Sequence, residues 1–99
     1  TANACAAPMR IMELCCQAIE AIAVFAEKGS CIAVSDAGCG AVICKAALQG
    51  AILNVFINTK SLKDREAADA LNEKADAMLD KYCAMAEDVY QKVLGSFKP

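Results

Sequence analysis

The sequence predicts an all-α fold: three long antiparallel helices forming part of a larger helical bundle, oligomeric. Three observations predict it. Apolar residues recur at helical spacing through two long segments, the segment between them is apolar on every side, and only two prolines and five glycines interrupt 99 residues. Hydrophobic residues make up 58% of the chain, more than so small a domain can hide alone, because a small fold keeps a large share of its surface exposed. A second copy or another polypeptide is therefore expected to cover part of it. The chain reads as one partial domain, 1–99, with helices over about 8–28, 35–59 and 61–95.

Each element has its own signals. Pro8 suits a first helical turn, where its missing N–H is no loss. Glu13, Gln17, Glu20 and Glu27 then share one stripe, expected to be wet, with Ile11, Cys15, Ala18, Ile22 and Phe25 opposite and expected to be buried. Gly29 follows as a C-terminal stop. Ser35 offers an N-cap for the second helix and Asp36 a negative charge in its first turn. From Gly38 to Thr59 there is one charged residue, Lys45, in 22 positions. A helix without a polar face is a core helix or a membrane span. Lys45 would cost about 2.5–3.5 kcal/mol near mid-bilayer, which favours burial in protein. Ala46, Gly50, Asn54 and Asn58 recur every four residues along it, a stripe of small side chains that lets another helix approach closely. Ser61 and Asp64 have the spacing of a helix start. Leu71, Ala75, Met78, Tyr82, Met85 and Val89 alternate four and three apart as an inner seam, with Glu73, Lys74, Asp76, Asp80, Lys81, Glu87 and Asp88 as the solvated face.

Composition also excludes some functions. Ten basic against twelve acidic residues, no tryptophan and no basic stripe argue against nucleic acid. Seven cysteines with no C-x-x-C pair, and no histidine, argue for reduced thiols acting as small buried hydrophobes, hence a cytoplasmic setting and no metal. Thr1 to Pro8 lacks the basic and apolar regions of a signal peptide, and with no leading Met the start is expected to be a cut in a longer chain.

The segments Ser35-Asp36-Ala37-Gly38, Gly50-Ala51-Ile52-Leu53-Asn54-Val55-Phe56-Ile57-Asn58 and Ser61-Leu62-Lys63-Asp64, preceded by Glu27-Lys28-Gly29, form the pattern S-D-A-G…G-A-x-L-N-V-x-I-N…S-x-K-D. Over Pro8 to Leu79 this resembles the second half of the cyclodeaminase-like domain in the formiminotetrahydrofolate cyclodeaminase and methenyltetrahydrofolate cyclohydrolase family. The middle motif is the specific part. The resemblance implies an all-helical, dimeric protein that takes a tetrahydrofolate derivative as substrate near a subunit interface. It implies a lyase that converts formimino- to methenyl-tetrahydrofolate with ammonia release, or a hydrolase that turns methenyl- into 10-formyl-tetrahydrofolate. The family's first half, with its Pro- and Gly-rich loop and several helices, has no match here. A homo-oligomer or a separate N-terminal half-chain is expected as partner, and the chain alone is expected to be an incomplete enzyme.

Both reactions move protons to or from folate nitrogen, water or the leaving amine. Without histidine, the groups near the motifs that could do so are Asp36, Lys45 and Asp64, the candidate catalytic residues. Each also has a structural reading: acids in first helical turns complement the dipole, and a lone lysine can run its stem along apolar surface. Ser35, Asn54, Asn58 and Lys60 are the candidate substrate-binding residues. Amides on a buried helix must be hydrogen-bonded, either to the pterin edge or across a helix interface. Lys60, Lys63 and Arg65 are placed to receive the glutamate tail or simply to be solvated. The rival to an enzyme is a non-catalytic helical oligomerisation scaffold of the same fold, and behind it a membrane-anchored hairpin using 38–59.

Overall fold

The structure, a computed structural model, describes residues 2–28 and 31–98, with side chains from 4–27 and 34–98. It holds three helices, α1 (Ala2–Lys28), α2 (Cys31–Lys60) and α3 (Arg65–Phe97), and no strand among the described residues. They form a rod 54 Å long and 18 by 16 Å across. Since one helix with its side chains is about 10 Å wide, three such helices leave room only for a thin seam between them.

That seam runs the length of the rod. Met9, Met12, Cys16 and Ile19 of α1 are buried against Ala41, Leu48, Ala51, Ile52 and Val55 of α2 and Ala75, Ala86, Val89 and Val93 of α3. A smaller cluster of Cys5, Leu62 and Ala68 closes the end where α2 turns into α3. The inner seam of α3 follows its four-and-three spacing, with Leu71, Met78, Tyr82 and Met85 half-buried against the core.

The structure moves three expected boundaries. α1 begins at Ala2, not Pro8, so the proline lies inside the helix. α2 begins at Cys31, not Ser35. Ser35 is therefore a second-turn helical residue and not the N-cap, and Asp36 follows it outside the first turn. α3 begins at Arg65, where Asp64 is the cap and Ser61 belongs to the preceding turn. Its Oδ1 accepts from the Ala67 N–H at 3.1 Å, which satisfies one of the unpaired donors of a helix start. The stop expected at Gly29 lies outside the described residues.

The faces of α1 are also rotated from expectation. Ile11 and Phe25 are about half exposed, while Met12, Cys16 and Ile19 point inward. The acidic stripe looks toward α3: Lys74 Nζ lies 3.5 Å from Glu13, and the Tyr82 hydroxyl donates to Glu20. The reason is that α1 has apolar residues on two sides, and three helices can cover only one of them.

The same holds for α2. Its inner face is buried, but Ile43, Leu53 and Ile57 are 67%, 63% and 64% exposed, and the stripe Ala46, Gly50, Asn54 lies in the open beside them. An outer helix face this apolar has no counterpart to cover it among the described residues. Val34–Lys60 is long and apolar enough to cross a membrane by length and composition, a test that core helices of soluble proteins also pass.

Candidate functional site at the C-terminal end of α2

Helical rise sorts the candidate residues before any side-chain detail. Asp36 and Lys60 are separated by 24 residues of one unbroken helix, hence by about 36 Å at 1.5 Å per residue. Ser35 and Asp36 thus sit at one end of the rod and Asn58, Lys60 and Asp64 at the other, with Lys45 between. A single chain does not bring them together.

Lys45 is half-buried on the flank of α2 toward α3, where its Nζ lies 3.7 Å from Glu87 Oε2. The pair answers what a lone charge on an apolar helix does: it finds a carboxylate on the neighbouring helix. Asp36 is exposed. Ser35 and the exposed Cys39 line a mostly apolar groove between α2 and the end of α3, with Tyr90 and Phe97 across from them. Cys39 departs from the expectation of buried thiols. Cys5 and Cys16 are buried, and Cys15, Cys44 and Cys83 are half-buried. Burial pushes the Cys16 thiol up to about 11, helped by the neighbouring Cys15 and Glu20. Among the described residues, no three cysteine or carboxylate side chains are grouped to hold a metal ion.

The far end of α2 is richer. Asn58 Nδ2 donates across the interface to the carbonyl oxygen of Ala4 at 3.0 Å. Asn54 stays on the outer face, where its amide reaches only the Gly50 carbonyl at 3.5 Å. Arg65 does not project toward a ligand. Its Nη1 donates to the carbonyls of Thr59 and Leu62, each at 2.9 Å, and ties down the last turn of α2, where backbone acceptors have no helical partner. The chain reverses there: Ser61 and Leu62 bond back to Asn58 and Thr59.

Between this turn and α3 lies a cavity of about 350 Å³ lined by Phe56, Thr59, Lys60, Arg65, Asn72 and Asp76. Thr59 is 1% exposed, and its hydroxyl lies 2.7 Å from Asn72 Oδ1. A hydroxyl has one proton to give, and the shorter contact assigns it to Asn72 over the Phe56 carbonyl at 3.2 Å. Lys60 and Asp76 have no ion-pair partner among the described residues. Sequence reading placed Asp76 on a solvated face and passed over Asn72 and Phe56, because only the turn after α2 sets them around one space.

Comparison with known proteins bears on what this end of the chain serves. Residues 1–77 match the family model described as formiminotransferase-cyclodeaminase. The chain is 33% identical over 86 residues to a methenyltetrahydrofolate cyclohydrolase of Methylorubrum extorquens, an alignment that covers 87% of this chain and 41% of that protein. It therefore spans less than half the length of this relative. No solved structure matches the chain. The matched residues include all of α1 and α2 and the cavity-forming start of α3, and the chain belongs to the formiminotransferase-cyclodeaminase family.

Proposed function

We propose that the chain acts in folate one-carbon metabolism, as part of an enzyme that hydrolyses methenyl-tetrahydrofolate to 10-formyl-tetrahydrofolate. The alignment to a methenyltetrahydrofolate cyclohydrolase carries this reading. The family model, described as formiminotransferase-cyclodeaminase, favours a second one: conversion of formimino- to methenyl-tetrahydrofolate with release of ammonia. Both reactions use the same folate framework and differ in whether water or an amine is exchanged at the one-carbon unit.

We place the substrate at the C-terminal end of α2. Lys60 and Asp64 stand there, and Asn54 faces outward one to two turns earlier. With no histidine in the chain, proton transfer falls to a carboxylate, a lysine or ordered water. Asp36 and Lys45 lie too far along the rod to join Lys60 within one chain, so their part in catalysis requires a second chain. We therefore place the three antiparallel helices inside a larger cytoplasmic bundle, whose remaining helices come from another copy or a separate half-chain. They cover the outer faces of α1 and α2 in the way a core helix requires. The non-catalytic scaffold explains the small-residue stripe equally well, but gives no reason for a cavity at the α2–α3 junction lined by Thr59, Lys60, Asn72 and Asp76.

Absorbance separates these readings. Loss of methenyl-tetrahydrofolate above its rate in buffer supports the hydrolase, and its appearance from the formimino compound, with ammonia, supports the cyclodeaminase. Neither change, in a preparation that assembles normally, would leave the scaffold.

A further inference from the structure

We propose that the cavity at the α2–α3 junction is a subsite for the pterin edge of a folate, with Asp76 as the recognising carboxylate. The proposal rests on the folate reading above and gives that reading a location and a specificity residue. Four features of the cavity carry it. The first is an acceptor: Asp76 lines the space and is exposed, and no cation engages it among the described residues. The second is a donor. Because Asn72 Oδ1 accepts from the buried Thr59 hydroxyl at 2.7 Å, the amide is held in one orientation and its NH2 group is left to give. The third is a flat wall, the half-buried ring of Phe56. The fourth is a cation at the rim, Lys60, since Arg65 is already committed to the carbonyls of Thr59 and Leu62.

Asn72 and Asp76 are one helical turn apart on α3, so their side chains lie side by side, with Cβ atoms about 5–6 Å apart. Together they present an amide donor next to a two-oxygen acceptor. The matching ligand is a planar heterocycle with two adjacent N–H donors on one edge and a carbonyl beside them. Pterin has that edge: its 2-amino group and N3–H would meet the carboxylate as a parallel pair, and its 4-oxo group would meet Asn72. Stacking on Phe56 suits the ring. Lys60 at the rim adds positive charge that attracts an anionic folate as a whole.

The test uses the whole chain, with 5-formyltetrahydrofolate as the titrated ligand and free pterin or lumazine as competitor. Lumazine carries a carbonyl where pterin carries the 2-amino group. The wild-type chain should bind 5-formyltetrahydrofolate saturably and prefer pterin over lumazine by about tenfold, the worth of one charge-assisted hydrogen bond. Asp76→Asn should lose about tenfold in folate affinity and erase that preference. Its side chain is exposed, so the thermal melt should not move. If Asp76→Asn binds folate as tightly as wild type and keeps the preference, the pterin lies elsewhere and the proposal is overturned while the folate reading stands. If wild-type chain in its assembled form binds no folate, the reading itself falls and takes this subsite with it.

Discussion

Asn58 Nδ2 donates at 3.0 Å to the carbonyl oxygen of Ala4, the same oxygen that Pro8 deprives of its helical partner. In an unbroken helix the N–H of residue 8 would bond to that carbonyl. Proline has none, and an interior proline costs a helix about 3 kcal/mol. An amide from the far end of α2 supplies the missing donor, so α1 runs on through Pro8 back to Ala2. Asn58→Ala should therefore lower stability by about 1 kcal/mol. In a Pro8→Ala background, where residue 8 provides its own N–H, the same substitution should cost clearly less. Urea midpoints of the four proteins check this. Equal losses in both backgrounds would show that the two residues do not act on one oxygen.

Gly38 lets α2 lie close against Val93 of α3. A Cβ there would lie 2.8 Å from Val93 Cγ1 and 3.2 Å from its Cβ, so something must shift. Overpacking of this kind costs about 1–3 kcal/mol, against a gain of about 1 kcal/mol from replacing a helical glycine. Gly38→Ala should be destabilising by about 1 kcal/mol and should become neutral or stabilising with Val93→Ala. Thermal melts of the single and double variants decide it.

Gly50 is the opposite case. Nothing among the described residues lies within 4 Å of a Cβ built on it, so no contact among them explains a glycine in the middle of α2. Gly50→Ala should raise the stability of the chain by about 1 kcal/mol. If another helix approaches along Ala46, Gly50 and Asn54, the same methyl should weaken assembly. Denaturant titration reads the first effect and sedimentation the second. A variant that is more stable and assembles as before would remove the stripe from the interface.

Alkaline pH should destabilise the protein before it unfolds for other reasons. Burial raises the thiols of Cys15, Cys16 and Cys83, and donation to Glu20 raises the Tyr82 hydroxyl. These groups keep their protons in the folded state at a pH where the unfolded chain has lost them. The folded chain then binds more protons, and stability falls as pH rises. For Cys16 the contribution is intact below the ordinary thiol value of 9.0 and is lost as pH climbs toward about 11. Urea midpoints measured from pH 8 to 11 should fall, and Cys16→Ala should flatten the curve. An unchanged slope in the variant would rule out this thiol as a source.

Much of the fold was legible because its signals are local. The apolar run from Gly38 to Thr59, with Lys45 as its one charge, and the four-and-three seam of Leu71 to Val89 mark two of the helices without reference to anything distant. The start of α1 was not legible, because the partner that lets Pro8 sit inside a helix is fifty residues away in sequence. Ser35 looks like a cap only if the apolar residues before it are taken as loop; Cys31–Val34 is instead helix. The inward face of α1 was misread because charged Glu13 and Glu20 find partners on α3, while Ile11 and Phe25 stay outside. In the candidate site, the motif residues were visible, and so was the separation of Asp36 from Lys60, because a single helix over 35–59 already sets them about 36 Å apart. Asn72 and Asp76 carry no motif and become neighbours of Phe56 and Lys60 only through the turn at Ser61–Leu62.

The central claim is that the outer face of α2 is an internal surface of a larger assembly that holds the folate. Cys39 reports on it directly, since it is exposed on the same helix as Ile43, Leu53 and Ile57. The measurement is the alkylation rate of Cys39 in purified chain whose mass in solution is determined alongside. The account predicts a defined oligomer, or a complex with a second chain, in which Cys39 reacts far more slowly than a free thiol. A well-behaved monomer in which Cys39 reacts as fast as it does in an unfolded peptide would contradict it.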